Sequence, residues 1–362
     1  MARKEQQAEK EAEQENKTAL EEPEPYSDAN SEPQGEEETE TETETEQPEE
    51  EDEEESAHAG QKRKEPPTHS SVSEAAIKAP RQDSSNSPRD TNDSGPSSKQ
   101  LLNFLLSPSA MAYCFPADEL EHAKVSSEEY KSYALTSPSS FTAFEHLLCA
   151  HMLSKPLSHK LGMRSIRTLL NEPFRLNTPE AIVSAGEKGV WEALEAARTQ
   201  HRQKTASYIF RTAELYRDSE SMFELAQEAN DDGPTGVIEH IKSTVPGLAV
   251  TGGEIFCRRI QCVDGWGDAL WPFADSKAID AMRQIGVSVD DAEALRTTLV
   301  NQVNWDKIGN MGLQESKPTG AQLVTEHGEA QVQVAFVVAL ERALGCVLEG
   351  RVLQLKAAAA EA

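Results

Sequence analysis

Apolar residues recur at spacings of three and four along most of the chain beyond position 100, which is the period of an amphipathic helix. Alternation typical of strands is nearly confined to 331–334, which leads into a long apolar run. Thr178 before Pro179 is a helix start, because a capping hydroxyl precedes a proline at the first helical position. We expect Ser139 or Ser140, and Ser219, to cap further helices. The apolar stripes predict helices over about 141–154, 159–170, 204–216, 235–243 and 251–262. The chain is therefore predicted to be all-α.

The first hundred residues lack this pattern. They carry most of the net charge of −28, and Tyr26 is their one aromatic residue. Such a segment buries too little apolar surface to offset its ordering entropy. We predict a disordered acidic tail over 1–100 and a folded part over 101–362. The tail either keeps the chain soluble or binds a basic partner such as chromatin, and Lys62-Arg63-Lys64 is a weak nuclear signal from which we predict the nucleus.

Several classes of protein are disfavoured by composition. We find no run of roughly 20 apolar residues, as a membrane span requires, and the first residues resemble no secretory signal. The five cysteines are odd in number and lie mostly among apolar residues, which suggests reduced thiols. No cysteine or histidine pair has zinc spacing. We predict neither a metal nor a cofactor.

Residues 235–263 predict two helices joined by a short turn at Val245-Pro246-Gly247. Gly247 can take the positive φ that the turn needs. The backbone amides of 248–251 would then point outward at a helix N-terminus, where a phosphate binds well. Gly252 and Gly253 leave room for another backbone.

Asp275 follows an extended segment and begins the next predicted helix. One interpretation is a simple N-cap. The other is a carboxylate that faces a sugar beside the bound phosphate, where it stabilises positive charge at the anomeric carbon or orients a water. That chemistry would cleave an N-glycosidic bond, with the base flipped out of the DNA stack.

On these features, residues 140–290 resemble the helix–hairpin–helix (HhH-GPD) DNA glycosylase superfamily, the relatives of endonuclease III and 3-methyladenine glycosylase. The resemblance rests on Phe141–Ser154, on Arg202-Gln203-Lys204, on the hairpin and on Asp275. It implies two helical subdomains with a cleft: a barrel over about 155–263, and a second subdomain from about 101–154 plus 264–362. It also implies Asp275 as the catalytic residue and a monomer that binds duplex DNA. The residues it implies for phosphate binding are Gly247, Leu248, Ala249, Thr251, Gly252 and Lys204.

The chain departs from the family pattern in ways that change the expected chemistry. Ala249 replaces the second hairpin glycine, so we expect a strained hairpin if that residue has positive φ. Thr251 stands where lyase members have a lysine, which disfavours Schiff-base chemistry. Residues 261–270 look inserted, and Lys155 replaces a common glutamine. The sequence thus predicts a monofunctional glycosylase of base-excision repair. A catalytically silent DNA- or chromatin-binding module and a structural helical scaffold remain as alternatives.

Overall fold

The computed structural model describes residues 95–126, 129–314 and 328–362. The acidic tail and its possible partner lie outside these ranges. Within them the fold is all-α as predicted, with no strand and one isolated bridge between Thr136 and Gln314. The α-helices are α1 (Ser98–Leu105), α2 (Met111–Cys114), α3 (Ala117–Val125), α4 (Ala143–Leu153), α5 (His159–Leu170), α6 (Pro179–Ala196), α7 (Arg202–Leu215), α8 (Ser219–Thr244), α9 (Val250–Ile260), α10 (Gly267–Leu270), α11 (Ser276–Ile285), α12 (Ala292–Gln302), α13 (Trp305–Ile308), α14 (Glu329–Leu348) and α15 (Val352–Glu361).

Helix α4 begins later than the expected caps. Ser139 and Ser140 lie in a 3-10 turn, and Thr142 caps the helix instead. Its hydroxyl accepts from the Glu145 amide at 3.2 Å, while the Glu145 carboxylate accepts from the Thr142 amide at 2.8 Å. Because this reciprocal pair satisfies two otherwise free amides, it outcompetes a lone serine upstream.

Helix α8 corrects a second prediction. Asp218, rather than Ser219, caps it, and its side chain accepts from the Ser221 amide. The separate short helices expected around 219 and over 235–243 form one helical run, broken at Gly233, where φ is 60°. Pro234 follows the break, and a proline cannot supply the amide that an uninterrupted helix needs.

The helices pack in two groups. Helices α4 to α7 pack one against the next, α8 packs against α9, and α4 also contacts α7 and α9. Helix α14 is the centre of the second group, contacting α1, α2, α11 and α12. Helix α4 thus packs with the helices of 155–263, although the expected division assigned it to the other set.

Helix α14 is long and apolar enough to cross a membrane by length and composition. Most of it is buried inside the protein, as befits a core helix, and no other described helix passes that test. The described residues hold no cluster of His, Cys, Asp and Glu suited to a metal. All five cysteines are free thiols.

Candidate functional site

The turn between α8 and α9 is the predicted hairpin. Gly247 has φ 75°, in the left-handed region that favours glycine. A Cβ at this position would also lie 2.1 Å from Cδ2 of Tyr208 on α7. Glycine is therefore required both by the backbone angle and by the aromatic ring beside it.

Ala249 does not strain the hairpin. It is the N-cap residue of α9, with φ −132° and ψ −170°. This extended backbone is open to any residue. The expectation of a costly alanine at positive φ is wrong, because the turn needs its left-handed residue only at Gly247.

The amides of the hairpin divide into two sets. The Leu248 amide donates to Val245 O at 3.3 Å, and the Gly252 amide donates to Ala249 O at 2.8 Å. These bonds correct the expectation that both residues present free amides to a phosphate. The amides of Ala249, Val250 and Thr251 donate to no backbone carbonyl of the described chain. A helix N-terminus of this kind attracts anions.

Gly253 explains how closely the two hairpin helices approach. A Cβ there would lie 3.0 Å from Cα of Ile238 on α8. A Cβ on Gly252 would likewise meet Leu248 Cδ2 at 2.8 Å. The glycine pair therefore serves the packing of α9 against α8 and its turn, as the sequence predicted.

Two lysines stand beside the hairpin. Lys155, in the loop between α4 and α5, donates from Nζ to Gly247 O at 2.8 Å. The Nζ atoms of Lys155 and Lys204 lie 5.1 and 5.7 Å from the centre of the Tyr208 ring. Partial burial, and then the neighbouring Lys204, lower the pKa of Lys155. The predicted residue Lys204 thus lies close to the hairpin, together with Lys155, for which the sequence predicted no role in phosphate binding.

Asp275 is an N-cap and also has a second role. Its Oδ1 accepts from the Ala278 amide at 3.2 Å at the start of α11. Its Oδ2 accepts from Arg258 of α9. The Asp275 side chain is only 2% exposed. The structure therefore connects the predicted catalytic carboxylate to the hairpin helix through a buried ion pair.

Arg258 belongs to a larger buried network. Its Nε donates to Glu341 Oε1 of α14 at 2.7 Å, and Glu341 also accepts from the Tyr133 hydroxyl. Arg259 approaches Glu341 Oε2 at 3.6 Å and lies over the Tyr133 ring at 3.7 Å. One carboxylate on α14 thus anchors two guanidinium groups of α9.

The charges of this network are mutually stabilised. Burial acts to lower the pKa of Arg258, but Glu341 and Asp275 outweigh it and raise that pKa above its usual value. Burial likewise acts to raise the pKa of Glu341, and Arg258 and Arg259 hold it below its usual value. Since removing one partner of a buried pair leaves an uncompensated charge, the network is costly to break.

A cavity of about 250 Å³ opens beside the network. Thr251 of the hairpin helix, Lys155 and Asp275 all line it, as do Arg258 and Glu341. Pockets for drug-sized ligands span roughly 300–1,000 Å³, so this cavity lies below that range. The hairpin and the predicted catalytic carboxylate therefore meet at one cavity.

Trp266 and Trp271 contribute to packing. Trp266 is buried and meets Phe256 edge-on at 5.4 Å, and Trp271 meets Phe336 at 6.4 Å. His146 and His151 are fully buried, with Nε2 atoms bonded to Pro138 O and to the Thr212 hydroxyl. Both histidines are therefore core residues.

Sequence reasoning missed Arg258 and Glu341. A signal existed, because Arg258-Arg259 interrupts the apolar run over 255–260, and a charged residue in such a position needs a partner. The partner could not be named from the sequence, since Glu341 lies 83 residues away.

Comparison of the chain with protein-family models, with curated proteins and with solved structures finds no match in any of the three.

Proposed function

We propose that this chain binds duplex DNA and cleaves the N-glycosidic bond of a flipped base, with Asp275 as the catalytic carboxylate. The observation that carries the proposal is the shared cavity, which is lined by Asp275 and by Thr251 of the hairpin helix. A phosphate at the hairpin would place its sugar within reach of that cavity. The two helical groups are the proposed glycosylase-like subdomains, with the cavity between α9 and α14 as their cleft.

We assign the binding of the DNA phosphate backbone to the hairpin and to the two lysines beside it. The three free amides at Ala249, Val250 and Thr251 offer donors to phosphate oxygens. Lys155 and Lys204 add positive charge on the same side, around Tyr208. Phosphate contacts of this kind supply most of the sequence-independent affinity for DNA, and they compensate locally for the acidic net charge of the chain.

The chemical step is assigned to Asp275. A carboxylate beside the anomeric carbon stabilises the positive charge that develops as the base departs, or orients the attacking water. Thr251 has no amine, so that position supports hydrolysis and no Schiff base. We therefore propose monofunctional base-excision chemistry, which fits a nuclear role.

A second candidate is a catalytically silent DNA-binding module, and the Arg258–Asp275 ion pair favours it. Both carboxylate oxygens of Asp275 already have a partner. The guanidinium offsets the negative charge that a cationic transition state would need. Under this candidate the hairpin still binds DNA, and the cavity takes a base without chemistry.

Single-turnover excision separates the two candidates. Duplexes carrying uracil, an alkylated purine, 8-oxoguanine or thymine opposite guanine are mixed with excess protein, and binding is measured in parallel at several salt concentrations. We expect salt-dependent binding and excision of at least one base. Binding without excision of any base would reject the enzyme and retain the silent module. Absence of salt-dependent binding would reject both and favour the structural scaffold.

A further inference from the structure

Arg258 retains hydrogen-bonding capacity on the cavity side. Its Nε bonds Glu341 and its Nη1 bonds Asp275, while Nη2 donates to no acceptor of the described chain. The guanidinium lines the cavity. Because Glu341 and Asp275 hold the group from two directions, its remaining N–H donors are fixed in space. A fixed, planar donor group is well suited to bind two neighbouring hydrogen-bond acceptors at once.

The two buried carboxylates of the cavity already have hydrogen-bond partners within the protein. Asp275 is engaged by Arg258 and by the Ala278 amide. Glu341 is engaged by Arg258, Arg259 and the Tyr133 hydroxyl. The other charged side chains in the lining, Glu254, Lys155 and Lys277, are partly or fully exposed to water. The buried carboxylates of the lining are therefore paired, whereas Arg258 keeps unused donors.

One face of the aromatic ring that lines the cavity is also covered. Among the described residues, Tyr133 is the one Phe, Tyr or Trp that lines the cavity. The Arg259 guanidinium covers its ring at 3.7 Å. His159 also lines the cavity, and its Nδ1 lies 2.7 Å from a Glu349 carboxylate oxygen. A positively charged ring is held by exposed electron-rich faces or by free carboxylates, whereas here Arg259 covers one face of Tyr133 and both buried carboxylates are paired.

We infer that the cavity takes a neutral base with carbonyl oxygens, read by Arg258, and rejects positively charged alkylated purines. The inference rests on the proposed function for the flipping of the base, and it specifies the substrate class. Uracil and hypoxanthine belong to the accepted class. A 7-methylguanine nucleotide is cationic and meets the Arg258 guanidinium, so it is rejected. Ethenoadenine is neutral without a carbonyl, so it lacks the acceptor.

Equilibrium binding tests the inference without requiring chemistry. The full chain is titrated with duplexes whose central 2′-fluoro nucleotide resists cleavage and carries uracil, hypoxanthine, ethenoadenine or 7-methylguanine. We expect uracil and hypoxanthine to bind at least about tenfold more tightly than 7-methylguanine, since a good bidentate contact discriminates at that level. Equal affinities, or tighter binding of 7-methylguanine, would overturn the inference.

Variants of Arg258 test whether this residue causes the preference for bases with carbonyl oxygens. R258K keeps the charge but loses the planar fork, and R258Q keeps one donor without charge. We expect both to reduce the preference to about threefold or less while retaining the affinity for an undamaged duplex. Arg283→Lys is the matched control, because Arg283 lies on α11, is partly exposed and does not line the cavity. A preference retained in R258K and R258Q alike would overturn the role of Arg258. If the variants do not fold, the wild-type affinities alone decide.

Failure of the inference and failure of the proposed function give different results. Binding preference for carbonyl-bearing bases without any excision would reject the enzyme and support the recognition rule. Excision of 7-methylguanine as fast as uracil from ordinary duplexes would support the enzyme and overturn the recognition rule.

Discussion

Asp275 and Asp291 begin successive long helices with the same local motif, yet they sit in different surroundings. Each accepts a hydrogen bond from the amide three residues on, at 3.2 Å for Asp275 and 2.8 Å for Asp291. Asp291 is exposed, whereas Asp275 is buried and pairs with Arg258. The comparison shows that a capping motif alone does not identify a functional carboxylate. Asp275 is distinguished by the Arg258 guanidinium, which pairs with its second oxygen, and by the cavity that Asp275 lines.

Alanine substitutions at Asp275 and Asp291 should give the largest difference in the free energy of unfolding. Asp275→Ala leaves the Arg258 charge buried without one of its partners, which costs about 3–5 kcal/mol. Asp291→Ala removes only an exposed cap, which costs about 1 kcal/mol. Urea titrations give the free energy of unfolding of each variant. Equal losses would mean that the Asp275 ion pair contributes nothing beyond the cap.

Lowering the pH should distinguish the contribution of the buried network to stability from that of the exposed helix caps. Burial opposes the Glu341 charge, but Arg258 and Arg259 hold its folded-state pKa below the ordinary 4.5. Between that pKa and 4.5 the unfolded chain binds more protons, so stability rises with pH there and falls as pH drops. The stabilisation is complete above about pH 4.5 and is lost as the pH falls through the folded-state value.

Glu341→Gln should therefore show a weaker dependence of unfolding free energy on pH between about 5.5 and 3.5 than the wild type. Glu293→Gln provides an exposed control, since Glu293 pairs with Arg296 at the surface of α12. A Glu341→Gln curve parallel to the wild type would contradict the stabilised charge.

The smallest expected effect concerns the hairpin lysines. Lys204→Ala should lower the slope of log affinity against log salt by about one unit, because each phosphate contact releases about one counterion. Lys242→Ala is the control, since Lys242 pairs with Glu239 on α8 and makes no described contact with the Tyr208 ring. An unchanged slope for Lys204→Ala would remove that residue from the proposed DNA-binding surface.

Local signals in the sequence predicted local structure well. Helix α5 has the predicted bounds, and the Thr178-Pro179 start of α6 is confirmed, because both depend on a few adjacent residues. Competing local signals produced the errors at Ser139, Ser140 and Ser219. At each of these the cap was displaced by one to three residues, to Thr142 and Asp218.

The arrangement of the site was less accessible to sequence reasoning. Position and pattern singled out Gly247, Lys204 and Asp275, and the structure places Gly247 and Lys204 beside Tyr208. The partner of Asp275 could not be predicted, because Arg258 lies 17 residues away on another helix. Its second partner, Glu341, lies farther still and joins α9 to α14. Burial of an ion pair is a tertiary property that no short window of sequence contains.

Single-turnover excision by Asp275→Asn, beside wild type and Asp291→Asn, tests the central claim most directly. Asparagine keeps the capping oxygen at either position, so the helix starts remain while the charge is lost. The account predicts excision by wild type and by Asp291→Asn, and at least about a hundredfold slower excision by Asp275→Asn with DNA affinity retained. Equal excision by Asp275→Asn and wild type would contradict a catalytic role for Asp275.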